Sequence, residues 1–134
     1  MSAASSSQET KPSAAALAQA AYFLATGIWP IVHYRSFEAV TGPKVDTWLV
    51  KTFGALVTAV GAALAVGALD GRRSKLLATL AIGSAGALAI ADVVYAVKGR
   101  ISRVYLVDAL AEVGLIAGLC AELNDSDGVR SEAR

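Results

Sequence analysis

The sequence predicts an all-α integral membrane protein built as an antiparallel bundle of four transmembrane helices. Hydrophobic residues make up 55% of the 134-residue chain and charged residues only 17%, whereas ordinary soluble domains are about 25% charged. The apolar residues also fall into runs of roughly 20 residues, and a helix of that length matches the ~30 Å hydrocarbon core of a bilayer. In lipid every backbone polar group must pair within its own segment, so such runs are expected to be helices.

The elements follow in a simple order along the chain. Residues 1–13 are polar and rich in Ser and Ala, which is typical of a disordered tail. Residues 124–134 form a second polar tail at the C-terminus. Between the tails, spans are predicted at 14–32, 49–69, 76–97 and 104–123.

Short connectors at 70–75 and 98–103 place the consecutive spans antiparallel. Both termini and the 70–75 loop then lie on one side of the membrane, which we call side A. The 33–48 connector and the 98–103 loop lie on the opposite side, side B.

Basic residues do not decide which side is cytoplasmic, because six Lys or Arg residues flank side A and six flank side B. We expect the inner membrane of a bacterial cell, with cytoplasmic termini, since even-span proteins usually keep their charged tails there. The lipid bilayer is the predicted partner, and a homodimer or another membrane protein is a further candidate. The net charge of +1 gives no indication of nucleic-acid binding.

Small residues at i, i+4 spacing predict where the helices pack, because they let backbones approach closely in lipid. The predicted contact rows are Ala55, Ala59, Ala63 and Gly67 on the second span, Gly83, Ala87 and Ala91 on the third, and Gly114 and Gly118 on the fourth.

Side B collects most of the unusual side chains. Seven of the nine aromatic residues fall there: Trp29, Tyr34, Phe37, Trp48, Phe53, Tyr95 and Tyr105. An interfacial aromatic belt is the plain interpretation, but no such ring is found at side A. The 33–48 connector is predicted to form a flap over this end, with Ser36 capping a short helical turn and Asp46 or Thr47 capping the second span.

Four ionisable side chains form a candidate polar site beneath this flap: Lys51, Asp92, Asp108 and Glu112. Asp108 and Glu112 are spaced i, i+4 and therefore share one helix face. Glu112 lies about 12 Å into its span at the helical rise of 1.5 Å per residue. An acid at the centre of a span costs about 2.5–3.5 kcal/mol on insertion scales, and ionisable residues at such depths mark functional sites.

The flap contributes three further candidates: His33, Arg35 and Glu38. Either a flap cation folds in to balance the three acids, or Glu112, the deepest, stays protonated. A structural alternative needs no function. In it, Lys51 pairs with Asp92 or Asp108, and a protonated Glu112 bonds to a hydroxyl such as that of Thr58.

The remaining chemistry is less specific. The single His with scattered carboxylates lacks the spacing of a metal site, and no Ser–His–acid pattern is present, so no metal or other cofactor is predicted and an enzyme is not favoured. Acid–base chemistry by Glu112, Asp108 and His33 on a lipid-soluble substrate remains open. Proton-coupled movement of a cation, with Glu112 as the exchanging acid, is also open.

Two stretches, WPIVHYRSFEAVTGPKVDTWLVKTFGALV (29–57) and ADVVYAVKGRIS (91–102), carry a resemblance to uncharacterised bacterial four-span membrane proteins of about this length. The resemblance covers most of the spans. It implies a bacterial membrane family without assigned activity, and it carries no catalytic residues over. At the level of the fold alone the chain also resembles the DoxX-type proteins.

Two classes of function therefore stay open. The first is a membrane protein that binds a small molecule or handles protons at side B. The second is a non-catalytic accessory or scaffold subunit of a membrane complex. A cavity at the polar site favours the first class, whereas ion pairs without a cavity, with Trp29 and Trp48 facing outward, favour the second.

Overall fold

The computed structural model of the protein describes residues 11–71 and 74–132, and in these ranges it is entirely helical, as predicted. Residues 1–10 of the predicted disordered tail lie outside the described residues. The five helices are α1 (Ala14–Val32), α2 (Tyr34–Thr41), α3 (Thr47–Leu69), α4 (Lys75–Val97) and α5 (Tyr105–Glu132).

Three of the described helices, α1, α3 and α4, are long and apolar enough to cross a membrane. The chain is therefore a multi-pass protein embedded in a lipid bilayer. Helix α5 is longer than these three but carries Asp108, Glu112 and Glu122 along its apolar part. It also continues through residue 132, so most of the segment predicted as a polar C-terminal tail is helical.

Side chains at the helix starts explain where α1 and α4 begin. The Ser13 hydroxyl accepts a hydrogen bond from the Ala16 amide at 3.1 Å, and the Ser74 hydroxyl accepts one from Leu77 at 3.0 Å. Glu122 of α5 adds a contact between elements, because its carboxylate accepts bonds from the Ser13 hydroxyl at 2.5 Å and from the Ala15 amide at 2.8 Å. A carboxylate is well placed there, since a helix N-terminus carries partial positive charge.

The long helices pack as two close pairs, α1 with α3 and α4 with α5. The first pair depends on glycine. A Cβ on Gly54 would lie 2.5 Å from the Gly27 carbonyl oxygen, and one on Gly61 would lie 3.0 Å from the Phe23 Cβ. The pairs meet in a shared core formed by Ala20, Phe23, Leu64, Ala81, Ala85 and Leu119.

The packed faces differ from the predicted rows of small residues. On α3 the buried residues are Gly54, Gly61, Leu64 and Ala68. Of the predicted row, Ala55, Ala59 and Ala63 are exposed and Gly67 is half-buried against Leu77. On α4 the buried row runs through Ala81, Ala85, Ala89 and Ala96, and on α5 both predicted glycines are exposed. In a chain so rich in Ala and Gly several faces carry the same spacing, and the larger neighbours decide which face packs.

Candidate functional site

A cavity of about 510 Å³ lies at the side B end, between the connector and the four long helices. We call it the side B cavity. Its wall is mostly apolar and includes four aromatic rings, those of Phe37, Phe53, Tyr95 and Tyr105. The other lining residues are Thr26, Gly27, Pro30, Lys44, Leu49, Val50, Gly54, Val57, Leu88, Ile101, Asp108 and Glu112. An apolar cavity with a few polar groups is typical of a small-molecule site.

Two of the predicted site residues, Asp108 and Glu112, line this cavity. Their i, i+4 spacing on α5 brings them to the same face, as the sequence indicates. Glu112 is only 1% exposed, and its Oε2 atom has no hydrogen-bond partner within the described part of the chain. A buried carboxyl oxygen without a hydrogen-bond partner is costly to the fold. A ligand or a water molecule that donates a hydrogen bond to this oxygen would offset that cost.

Asp92, from α4, completes an acidic cluster with Asp108 and Glu112. It is 7% exposed, and its Oδ2 atom lacks a hydrogen-bond partner among the described residues. Its carboxyl group lies close enough to Asp108 for the two groups to interact electrostatically. The three acids repel one another when they are ionised, so grouping them is costly to the fold.

Helix α1 supplies the donor that holds Asp108 in place. The Tyr22 hydroxyl donates a hydrogen bond to Asp108 Oδ1. A second cavity, of about 190 Å³, lies against the same pair, and Asp108, Thr26, Phe37 and Tyr105 line both cavities. Asp108 therefore stands in the wall between two spaces.

Lys51 does not join the acidic cluster. Its side chain is exposed, and it forms no ion pair with Asp92 or Asp108 in the described structure. The Thr58 hydroxyl donates to the carbonyl of Gly54 at 2.7 Å, within its own helix. The arrangement is thus not the sealed ion pair of the structural alternative.

The flap contains a helix, α2, but the predicted site residues His33, Arg35 and Glu38 do not line the side B cavity. Its N-cap is His33, not Ser36, and the His33 Nδ1 accepts from the Ser36 amide at 3.3 Å. Trp29 donates to the Ser36 hydroxyl at 2.7 Å. Glu38 accepts from the Lys44 amide at 3.3 Å, while Arg35 is exposed.

The connector instead presents Phe37 and Lys44 to the cavity. Phe37 stacks edge-on against Trp29, with ring centres 5.6 Å apart. The Lys44 ammonium donates to the Thr41 carbonyl at 2.8 Å and lies 4.9 Å from the centre of the Tyr105 ring. One cation therefore stands in the same cavity as two of the three acids.

Sequence reasoning missed Tyr22 and Lys44. A signal for Tyr22 is present, because Gln19, Tyr22 and Thr26 recur at i, i+3 and i+7 and so mark a polar face on an otherwise apolar helix. Gln19 on that face is 1% exposed and donates to the Ala81 carbonyl at 2.7 Å. Lys44 lies in an irregular segment, where no periodicity indicates which way a side chain points.

The site offers nothing typical of a metal centre. Within residues 11–71 and 74–132, no group of three or more His, Cys, Asp or Glu side chains is arranged to hold a metal ion. Its chemistry is that of an apolar space with acidic groups on one wall.

Comparison with known proteins leaves the site to be judged on this geometry. No protein-family model matches the chain, and no curated protein or solved structure matches it significantly.

Proposed function

We propose that this protein binds a small, largely apolar molecule in the side B cavity. The observation that carries the proposal is the orphan Oε2 of Glu112, a buried polar atom on the wall of a cavity of about 510 Å³. A membrane protein that needed Glu112 only for packing would gain stability by replacing or pairing it. An unmet polar group in an apolar cavity is instead what a binding site for a polar-headed apolar molecule requires.

The proposal includes a fourth crossing by α5, giving an antiparallel four-helix membrane bundle. Its support is that α5 packs closely against α4 and shares the central core through Leu119. Glu112 is turned into the bundle, and Glu122 contacts the start of α1. Acidic residues on a spanning helix are tolerated when they face the bundle interior or an internal cavity.

We also propose a bacterial inner membrane with side A in the cytoplasm. Four crossings put both termini on side A, and the resemblance of 29–57 and 91–102 to bacterial four-span proteins is the reason for the compartment. The exposed small-residue rows on α3, α4 and α5 are where a second copy or another membrane protein would pack.

Proton handling is a second candidate function, and one observation favours it. Asp92 neighbours Asp108, and Asp108 and Glu112 both line the cavity. These three carboxyl groups, which can exchange protons, form a row from the cavity to the buried side chain of Asp92. A pH-sensitive dye sealed in vesicles measures the activity, which is expected to be lost in Asp92→Asn.

The scaffold alternative receives less support. Trp48 is 68% exposed, as that alternative expects, but Trp29 is half-buried and bonded to Ser36. The acids are not sealed into ion pairs with described residues, and a cavity adjoins them. An exposed Trp at this level also fits the headgroup region of a bilayer.

Photolabelling tests the proposal. Azioctanol, a short alcohol with a photoreactive diazirine, is added to the protein in lipid nanodiscs, and the labelled residues are mapped by mass spectrometry. Label is expected on cavity residues such as Leu88 and Tyr105, and Val57→Trp, which fills the cavity, is expected to suppress it. The matched control is Val66→Trp, on the exposed face of α3. Label spread over lipid-facing residues, unaffected by Val57→Trp, would refute the proposal.

A further inference from the structure

Glu112 restricts the chemistry of the ligand further than a generic apolar cavity does. Its side chain is 99% buried, since only 1% is exposed, and its Oε2 atom has no partner among the described residues. The complementary group is a hydrogen-bond donor that also tolerates neighbouring acids. A positively charged nitrogen meets both conditions, because a nearby cation favours the ionised form of Glu112 and a charge-assisted bond to that carboxylate is stronger than a neutral one.

Three of the helices around Glu112 bring ionisable side chains towards it. Asp108 lies one turn away on α5, Asp92 faces it from α4, and α1 contributes the hydroxyl of Tyr22. The wall formed by α3 has no ionisable residue, because Lys51 is exposed and lies outside the cavity lining. Two acids, Asp108 and Glu112, thus line the site, and the third, Asp92, lies beside them.

Lys44 is the single lining cation of the described cavity, and it already has partners. Its ammonium group donates to the Thr41 carbonyl at 2.8 Å and lies over the Tyr105 ring at 4.9 Å. It sits in the connector, whereas Glu112 lies about 10 Å along α5 from Tyr105 at the helical rise. Lys44 therefore does not satisfy the free oxygen of Glu112.

The aromatic part of the cavity wall suits the apolar body of a ligand with a cationic nitrogen. Phe37, Phe53, Tyr95 and Tyr105 surround an apolar space. Aromatic faces attract a cationic group as well as burying a hydrocarbon body.

We infer that the side B cavity takes a lipophilic amine, with the protonated nitrogen bound by Glu112 and the apolar body held by the aromatic wall. The inference rests on the proposed function, because it names the ligand class of the same cavity. The nitrogen donates to the free Oε2 atom, and no covalent bond is made or broken.

A matched series of probes tests the inference. Phenylbutylamine, phenylbutanol and phenylbutyrate share one apolar body and differ only in a cationic, neutral or anionic end. Each is titrated against azioctanol labelling of the cavity in nanodiscs, and empty nanodiscs correct for partitioning into lipid. The amine is expected to protect the cavity at a concentration at least roughly tenfold below that of the alcohol, as a charge-assisted bond provides.

Variants then assign the preference to one side chain. Glu112→Gln keeps the shape of the side chain and removes its charge. In this variant the amine is expected to protect the cavity no better than the alcohol, and the protecting concentration of the alcohol is expected to stay within about twofold of its wild-type value. The control is Glu122→Gln, on the same helix at side A, where the wild-type preference is expected to remain. The ratio of the protecting concentrations of the amine and the alcohol is measured on the wild-type protein. It therefore tests the inference even where Glu112→Gln does not yield folded protein.

The outcomes separate the two proposals. Equal or tighter protection by the alcohol or the acid would overturn the amine inference while leaving a cavity that binds small molecules. Azioctanol labelling that misses the cavity, with no protection by any of the three probes, would overturn the proposed function itself.

Discussion

At the scale of single residues, two glutamates on one helix have opposite surroundings. Glu112 is buried with a free oxygen, whereas Glu122 accepts bonds from the Ser13 hydroxyl and the Ala15 amide. Glu112→Gln is therefore expected to melt at the wild-type temperature or higher in mild detergent, because it removes a buried charge that the fold does not pair. Glu122→Gln is expected to cost about 1–2 kcal/mol and to melt several degrees lower.

The opposite order of melting temperatures would contradict this expectation. A Glu112→Gln protein that melts well below both the wild type and Glu122→Gln would mean that Glu112 has a structural partner in the folded protein. The buried acid would then stabilise the fold, and the scaffold alternative would gain.

The same scale shows how far single residues can be predicted from the sequence. Asp92, Asp108 and Glu112 stand out because a charge inside an apolar run is costly, and the structure groups all three. Lys51 is equally conspicuous in the sequence but is exposed, since it lies about one turn from the helix start, where a long side chain reaches the surface. The sequence shows where a charged residue lies along the helix, but not the direction in which its side chain points.

At the scale of helices, the α1–α3 contact depends on missing side chains. Gly54→Ala would place a methyl group 2.5 Å from the Gly27 carbonyl oxygen and 2.9 Å from Pro30. Overpacking of this kind costs about 1–3 kcal/mol, so a lower melting temperature is expected. Gly83→Ala is the control, because nothing lies within 4 Å of its added methyl group.

The control variant has its own expected result. Gly83→Ala is expected to be neutral or to stabilise α4 by up to about 1 kcal/mol through helix propensity. Equal losses in the two variants would show that α1 and α3 do not approach closely at Gly54.

Helix positions were easier to predict than helix contacts. The first span agrees with α1 at both ends, and the next two differ from α3 and α4 by two residues or fewer. Apolar length fixes a spanning segment almost by itself. Contact faces depend on which large side chains interlock, and a repeating pattern of Ala and Gly does not encode that choice.

At the scale of the whole molecule, the number of crossings determines where the C-terminus lies. In a chain whose only cysteine is replaced (Cys120→Ala), single cysteines are introduced as Asp46→Cys, Lys75→Cys and Arg130→Cys, all at exposed positions. A membrane-impermeant maleimide is applied to sealed vesicles. If α5 crosses, Lys75→Cys and Arg130→Cys react from one side and Asp46→Cys from the other.

Labelling of Arg130→Cys together with Asp46→Cys would contradict the fourth crossing. It would leave α5 on side B, although α4 and α5 would still pack against each other. The sequence alone left the orientation open, because its basic residues divide equally between the two sides.

The central claim is that Glu112 faces a cavity open to small molecules, and cysteine accessibility tests it most directly. Glu112→Cys and Val113→Cys are compared in the Cys120→Ala background, using a small cationic methanethiosulfonate. The two positions are adjacent, but Glu112 lines the cavity and Val113 is 55% exposed on the outer face of α5. A charged reagent stays out of the hydrocarbon core and is drawn to the acids that remain beside the cavity, so the Glu112→Cys protein is expected to react at least roughly tenfold faster. Equal rates, or a faster Val113→Cys protein, would contradict the claim.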